Sequence, residues 1–295
     1  MRKLFDIELK DGRTIALGHR TAVVGVLNIT PDSFSDGGVN FDAGRAIDNG
    51  LRMEGEGADI IEVGGESTRP GAAVVSVEEE LSRVLPVVRG LVRKIRVPIS
   101  VDTYKSQVAR VVIDEGASLL NDVSALRFDP LIADVAAHGR LPLVLMHMRG
   151  EPATMQKIAP APDIFSEIER DIAAAAKEAE RRGVARKQII FDPGIGFGKT
   201  LDQNLAILNR LDRFETLGLP IMIGTSRKSF IGRLTGRPEN DRVFGTAASV
   251  SSAIIRGAHI VRVHDVKEMV EVARVTDAII NATDEADAAE GSKDK

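Results

Sequence analysis

The chain of 295 residues has no cysteine, no tryptophan and a single tyrosine, Tyr104. Without thiols it can form neither a disulfide nor a thiolate metal centre, a usage that fits a reducing cytoplasm. With so few aromatic rings, serial stacking of nucleic-acid bases on the protein is not expected. A formal charge of −4 offers no general attraction to nucleic acid or to an anionic membrane, so any anion site has to be a local cluster of Lys and Arg. No apolar stretch approaches the length of a membrane span, and the opening MRKLFDIELKDGRTIAL lacks the apolar core of a signal peptide. Residues 283–295 are small, polar and charged, which predicts a frayed tail.

What the chain does contain is a rhythm. Eight short apolar runs recur: TAVVGVLNI, DIIEVGG, VPISVDT, ASLLNDVS, LPLVLMHM, QIIFDPG, PIMIGTS and HIVRVHD. Between and after them lie stretches with helical spacing. SVEEELSRVL begins with Ser76 and Glu79 at capping-box spacing and then sets Leu81, Val84, Leu85 and Val88 on one face. IFSEIERDIAAAAKEAERRG ends at Gly183, a C-terminal cap, and VKEMVEVARVTDAII is the last helix. Strands apolar on both faces, alternating with amphipathic helices, predict a parallel sheet covered by helices. Eight such units, and no Gly-rich dinucleotide turn after the first, favour a single (β/α)8 TIM barrel over an open doubly wound sheet. The barrel is expected over residues 21–282. A β-hairpin over residues 1–20, turning at Asp11-Gly12, precedes it.

The stretch FDPGIGFGKT, residues 191–200, ends like a nucleotide-binding phosphate loop. That loop needs a glycine five positions before its Gly-Lys pair, because backbone amides over the whole span wrap the phosphates. Pro193 stands there and has no amide hydrogen. The motif is read instead as a strand end carrying Asp192, followed by a turn.

In a barrel of this kind, chemistry gathers at the carboxyl ends of the strands. The eight runs end in Asn28, Glu62, Asp102, Asn121 with Asp122, His147, Asp192, Ser226 to Lys228, and Arg262 with His264. Taken singly, an Asn or Asp after a strand is a turn former or helix cap, and Asp122 and Asp265 are read that way. Taken together, Asp102, Asn121 and Asp192 supply acceptors and an amide for a flat, nitrogen-rich ring; two carboxylates equally suit acid–base work or a metal. Arg69, Lys228 and the Arg262/His264 pair are cationic or basic, and the last two share a strand face, which points to a phosphorylated group. Asn28 could offer a neutral oxygen to magnesium.

The segments GVLNITPDSFSDGG, IEVGGESTRPGA, SVDTYKSQVA, NDVSAL, LMHMRG, FDPGIGFGKT, GTSRKSFIG and RVHDV, in this order, resemble dihydropteroate synthase from about Val24 to Val266. The resemblance implies a transferase of folate synthesis that joins 4-aminobenzoate to the pyrophosphate ester of 6-hydroxymethyl-7,8-dihydropterin and releases pyrophosphate. It implies a pterin pocket at Asp102, Asn121, Asp192 and Lys228, a Mg2+ contact at Asn28 and a pyrophosphate site at Arg262 and His264. It further implies a loop at Thr68, Arg69 and Pro70 closing over the second substrate, and a 4-aminobenzoate pocket at Phe197, Ser226 and Lys228. A cytoplasmic homodimer joined through the last two helices, with sulfonamides as competitors, completes the implied picture; no nucleic acid or membrane is involved. Glu62 departs from the family's shorter Asp, and a proline is commoner in the AVVSVEEEL region. Three rivals stay open at this point: a pterin-dependent methyltransferase, a non-catalytic paralogue, and a phosphosugar lyase using Lys228 as a Schiff base.

Overall fold

The computed structural model of the chain describes residues 2–29, 42–67 and 71–282. The tail expected over residues 283–295 lies outside the described residues. Strands β1 (Phe5–Glu8) and β2 (Thr14–Leu17) form the antiparallel hairpin, in the register Glu8↔Thr14. Both are shorter than the apolar runs suggested. The ladder gives way to a turn closed by Leu9 N–H to the Arg13 carbonyl (2.8 Å) and Gly12 N–H to the Leu9 carbonyl (3.0 Å). Gly12 takes φ +85°, a conformation that L side chains rarely adopt.

Eight parallel strands follow: β3 (Ala22–Asn28), β4 (Ile60–Gly64), β5 (Ile99–Asp102), β6 (Leu119–Asp122), β7 (Leu143–Met146), β8 (Ile189–Asp192), β9 (Met222–Ile223) and β10 (Ile260–Val263). They pair in the order β8-β7-β6-β5-β4-β3-β10-β9. A parallel bridge between Phe191 and Ile221 brings the two ends of that series together, so the sheet is a nearly closed barrel. The seam between the first and last barrel strands is the pairing of β3 with β10, Ile260 opposite Ala22.

The described helices are α1 (Ala43–Gly55), α2 (Val77–Val92), α3 (Ser106–Asp114), α4 (Leu131–Gly139), α5 (Ile164–Arg181), α6 (Leu201–Asn209), α7 (Ser229–Thr235), α8 (Val243–Ile255) and α9 (Val266–Ile280). Their starts are written locally. Ser76 accepts from Glu79 N–H (3.1 Å), Asp163 from Phe165 and Ser166 N–H, and Thr200 and Gln203 form a reciprocal capping box. Gly183, at φ +100°, follows the end of α5 as its sequence suggested. Among the described residues no helix is long and apolar enough to cross a membrane.

Alternation along each strand sorts the core into two clusters. Outward residues such as Ile61, Leu120, Leu145 and Phe191 pack against the helices. Inward residues Ile60, Leu119, Val144, Ile190, Met222 and Ile260 fill the lower barrel, and Ile7, Leu9 and Leu17 of the hairpin close it from below. The amino-terminal segment is tied down by Arg2, whose guanidinium bonds Asp277 of α9 (2.6 Å), Thr21 Oγ1 and the Ala258 carbonyl.

Candidate active site

Two residues above that apolar layer, the same strands present a second inward layer: Glu62, Asn121, Met146, Asp192, Gly224 and Arg262. Because a strand returns to the same face every second residue, the lower layer fixes where the upper one points. Asp102, Asn121, Asp192, Lys228 and Arg262 line one pocket at the carboxyl end of the barrel, with Val123, Met146, Ile195 and Phe197 as apolar wall. The structure therefore brings together the four residues expected to hold a flat heterocycle. It also supplies an acceptor: the Asn121 amide donates to Glu62 Oε2 (3.1 Å), while its own oxygen is buried and without a partner.

Glu62, buried to 1% exposure, is the hub of the floor. One carboxylate oxygen accepts from Asn121 and from Ser100 Oγ (3.3 Å); the other takes Arg262 Nε. Arg262 also donates to Asp102 Oδ2 (3.0 Å). The guanidinium is thus held between two carboxylates within the barrel floor. Burial works against its charge, but Glu62 and Asp102 outweigh that and raise its pKa. Asp102 is pushed up by burial and by Glu62, with Arg262 opposing. The sequence marked Glu62 as a strand-end carboxylate and as a departure from the family's Asp; in the fold its carboxylate reaches Arg262, Asn121 and Ser100 together.

Asp192 accepts from Gly194 N–H (2.7 Å) at Oδ1. Burial lifts its pKa to about 6, against the pull of the Gly194 amide, Arg262, Lys228 and Lys199. The Lys228 ammonium stands over the Phe197 ring, 4.2 Å from its centroid. Arg227, between Ser226 and Lys228, has φ +58° and pairs with Asp265. Asp265 is therefore not a side-chain helix cap, as its position suggested, because its carboxylate turns to that guanidinium. Asp122 does form the expected turn, accepting from Ser124 and Leu126 N–H.

Beside the pocket, the Asn28 amide nitrogen lies 3.4 Å from His264 Nε2, and His264 Nδ1 lies 3.0 Å from Ser226 Oγ. Burial, then Arg262 and Arg227, pulls His264 down to about 3, so it is a neutral hydrogen-bonding group at pH 7 and adds no cation. Thr68, Arg69 and Pro70, and the segment 30–41, lie outside the described residues.

His147 goes elsewhere. Met146 points into the barrel, so the next residue points out, and its ring faces Asp171 (3.5 Å) and Glu167 (4.0 Å) on α5. These three residues could hold a cation by geometry. Their carboxylates, however, are engaged by Arg149 (2.6 Å to Glu167) and Arg170 (2.8 Å to Asp171), away from Asn28. The apolar walls Val123, Met146 and Ile195 had no chemical signature in the sequence; only the two-residue period of their strands and turns could have located them.

A family model described as pterin binding enzyme matches residues 24–264. The chain is 47% identical to dihydropteroate synthase of Bacillus subtilis over 262 residues, covering 89% of this chain and 90% of that one. Its fold superposes with a TM-score of 0.88 on Xanthomonas albilineans dihydropteroate synthase solved with 4-aminobenzoic acid, at 42% identity and covering 95% of this chain and 100% of that one. The Yersinia pestis dihydropteroate synthase in complex with a sulfonamide drug gives a TM-score of 0.88 at 41% identity, covering 94% and 100%.

Proposed function

Because the chain belongs to the pterin-binding enzyme family, among the dihydropteroate synthases, we propose that it condenses 6-hydroxymethyl-7,8-dihydropterin pyrophosphate with 4-aminobenzoate, releasing pyrophosphate. The observation that carries this reading is the pocket itself: two carboxylates, that of Asp192 buried and that of Asp102 nearly so, and an unpaired amide oxygen, from three different strands, beside an apolar wall. Such a set matches the N–H edge of a flat heterocycle, with Met146 and Val123 among the apolar side chains that line the same pocket.

The reaction is a substitution at the methylene carbon between pterin and oxygen. The arylamine nitrogen forms the new bond, the carbon–oxygen bond breaks with its electrons leaving on pyrophosphate, and the ammonium so formed gives up one proton to the released pyrophosphate or to water. Asp102 and Asp192 hold the ring and favour positive charge spreading into it as that bond weakens. Lys228 orients the second substrate against Phe197, and no covalent nucleophile is needed. Arg262 and His264 face the departing pyrophosphate, the first as a fixed cation and the second as a neutral ring that accepts from the Asn28 amide at Nε2, donates to Ser226 Oγ at Nδ1, and so holds Asn28 in place.

The residues present also fit magnesium. With its amide nitrogen turned to His264, the Asn28 oxygen would be the neutral protein ligand offered to a cation bound mainly by phosphates and water. When bound, Mg2+ would neutralise charge on the leaving group. Sulfonamides would compete for the 4-aminobenzoate place. A cytoplasmic homodimer is part of the same reading: Phe244 and Ile255 on α8 and Val275 and Ile279 on α9 are large apolar residues left exposed, spaced to share helix faces.

The test is pyrophosphate formation by the purified protein with magnesium. Release is expected only when the pterin ester and 4-aminobenzoate are both present. A folded, pure chain that binds both and releases none would refute the assignment.

A further inference from the structure

Gly198-Lys199-Thr200 looks like the end of a phosphate loop, yet its lysine turns inward. Lys199 is 8% exposed. Its ammonium donates to three backbone carbonyls, those of Gly194 (2.9 Å), His147 (3.2 Å) and Phe197 (3.2 Å). An ammonium has three N–H donors, so this cage uses all of them. None of its hydrogen bonds goes to a carboxylate. A buried cation held by neutral oxygens is costly to keep, and burial pulls its pKa down to about 7 despite Asp192 and Glu167 nearby. The fold keeps it nonetheless.

We propose that Lys199 is a positioning residue: its ammonium clamps the turn after β7 to the turn after β8 and so aims the Asp192 carboxylate and the Phe197 ring into the substrate pocket. This rests on the reading of that pocket as a pterin site. The two turns touch through backbone. A Cβ on Gly194 (φ +68°) would stand 2.0 Å from the His147 carbonyl oxygen, and one on Gly198 (φ +67°) 2.6 Å from that of Arg149. Carbonyl dipoles crowded toward one point repel one another unless a cation sits among them. Lys199 is that cation.

Gly194 then transmits the position. Its carbonyl accepts from Lys199 while its N–H donates to Asp192 Oδ1 (2.7 Å), so one residue's two backbone groups connect ammonium and carboxylate. On the far side the His147 amide donates to the Asp192 carbonyl (2.9 Å) and the His147 carbonyl accepts from Lys199, closing the loop of contacts. Phe197 is held the same way through its own carbonyl, and its ring carries Lys228.

The experiment is a double-mutant cycle read by calorimetric binding of the pterin pyrophosphate, with kcat, KM for each substrate and Tm measured alongside. Lys199→Met keeps the stem and removes the three donors. It is expected to weaken pterin binding at least tenfold and to raise KM for 4-aminobenzoate, whereas in an Asp192→Asn background the same change should alter pterin affinity less than twofold. Thr200→Ala removes the neighbouring helix cap and serves as a control for plain destabilisation; it should leave pterin affinity unchanged. Should Lys199→Met fail to fold, Lys199→Gln carries the same cycle. Unchanged pterin affinity in a folded Lys199 variant, independent losses from Lys199 and Asp192, or an equal loss from Thr200→Ala would overturn the proposal. A wild-type chain that binds pterin but releases no pyrophosphate would sink the function proposed above and leave this coupling readable.

Discussion

Burial of Asp192 destabilises the empty fold. Its folded pKa, about 6, lies above the ordinary carboxylate value of 3.8, so between those values the folded state holds a proton that the unfolded state has lost. Stability therefore falls as pH rises through that interval, and the deficit is complete above about pH 7. Asp192→Asn removes the titration. The unliganded variant should melt higher than wild type at pH 8, by on the order of 2 kcal/mol, with the gain shrinking toward nothing as pH approaches 4. Turnover should fall tenfold or more at pH 8, where Asp192 is ionised, because the amide cannot favour a developing cation, and the loss should shrink as pH falls below about 6. A variant equally active, or no more stable at pH 8, would remove Asp192 from the role assigned to it. Asp102, Asn121, Asp192 and Lys228 were legible in the sequence because each stands at or just beyond the carboxyl end of an apolar run. Partnership was not legible. That Arg262 is taken up by Glu62 and Asp102, or that Asp265 serves Arg227, depends on contacts between residues up to 200 positions apart.

At the scale of elements, the hairpin and the pocket occupy opposite ends of the same barrel. Ile7 is fully buried beneath the lower apolar layer. Ile7→Ala should cost about 3 kcal/mol through lost contacts and a residual cavity, a Tm drop of roughly 5 °C for a chain of this size. KM for either substrate should be unchanged below the melting range; a shift in KM would show that the lower layer does not insulate the upper one. The hairpin's existence was plain from Asp11-Gly12 between alternating runs, but its ladder is shorter than the pattern, since Leu9 to Arg13 are spent on the turn. PIMIGTS likewise reads as a full strand and yields only Met222–Ile223. There the chain is bounded by Pro220, which lacks a donor, and by Gly224, where the backbone leaves the sheet. His147 exposes the same limit: an apolar run shows that a strand exists, but the facing of its last residue depends on where the two-residue alternation begins.

For the molecule as a whole, the exposed apolar residues of α8 and α9 are the feature that a lone subunit does not explain. Val275 and Ile279 are four residues apart on one face, 61% and 67% exposed. Sedimentation of the wild-type chain should give about twice its 31.7 kDa, and Val275→Asp with Ile279→Asp should return it to one copy with the pterin pocket intact. A wild-type chain that sediments as one copy would dispose of the dimer. The seam of β3 against β10, with Arg2 bonded to Asp277, has a consequence for how the molecule is made. On the ribosome, β3 emerges more than two hundred residues before the strand that completes its pairing, so one of its edges stays open until β10 follows. The nascent chain thus carries an apolar strand edge that only the arrival of β10 can shield, and it is during that interval that a cellular holdase has most to protect.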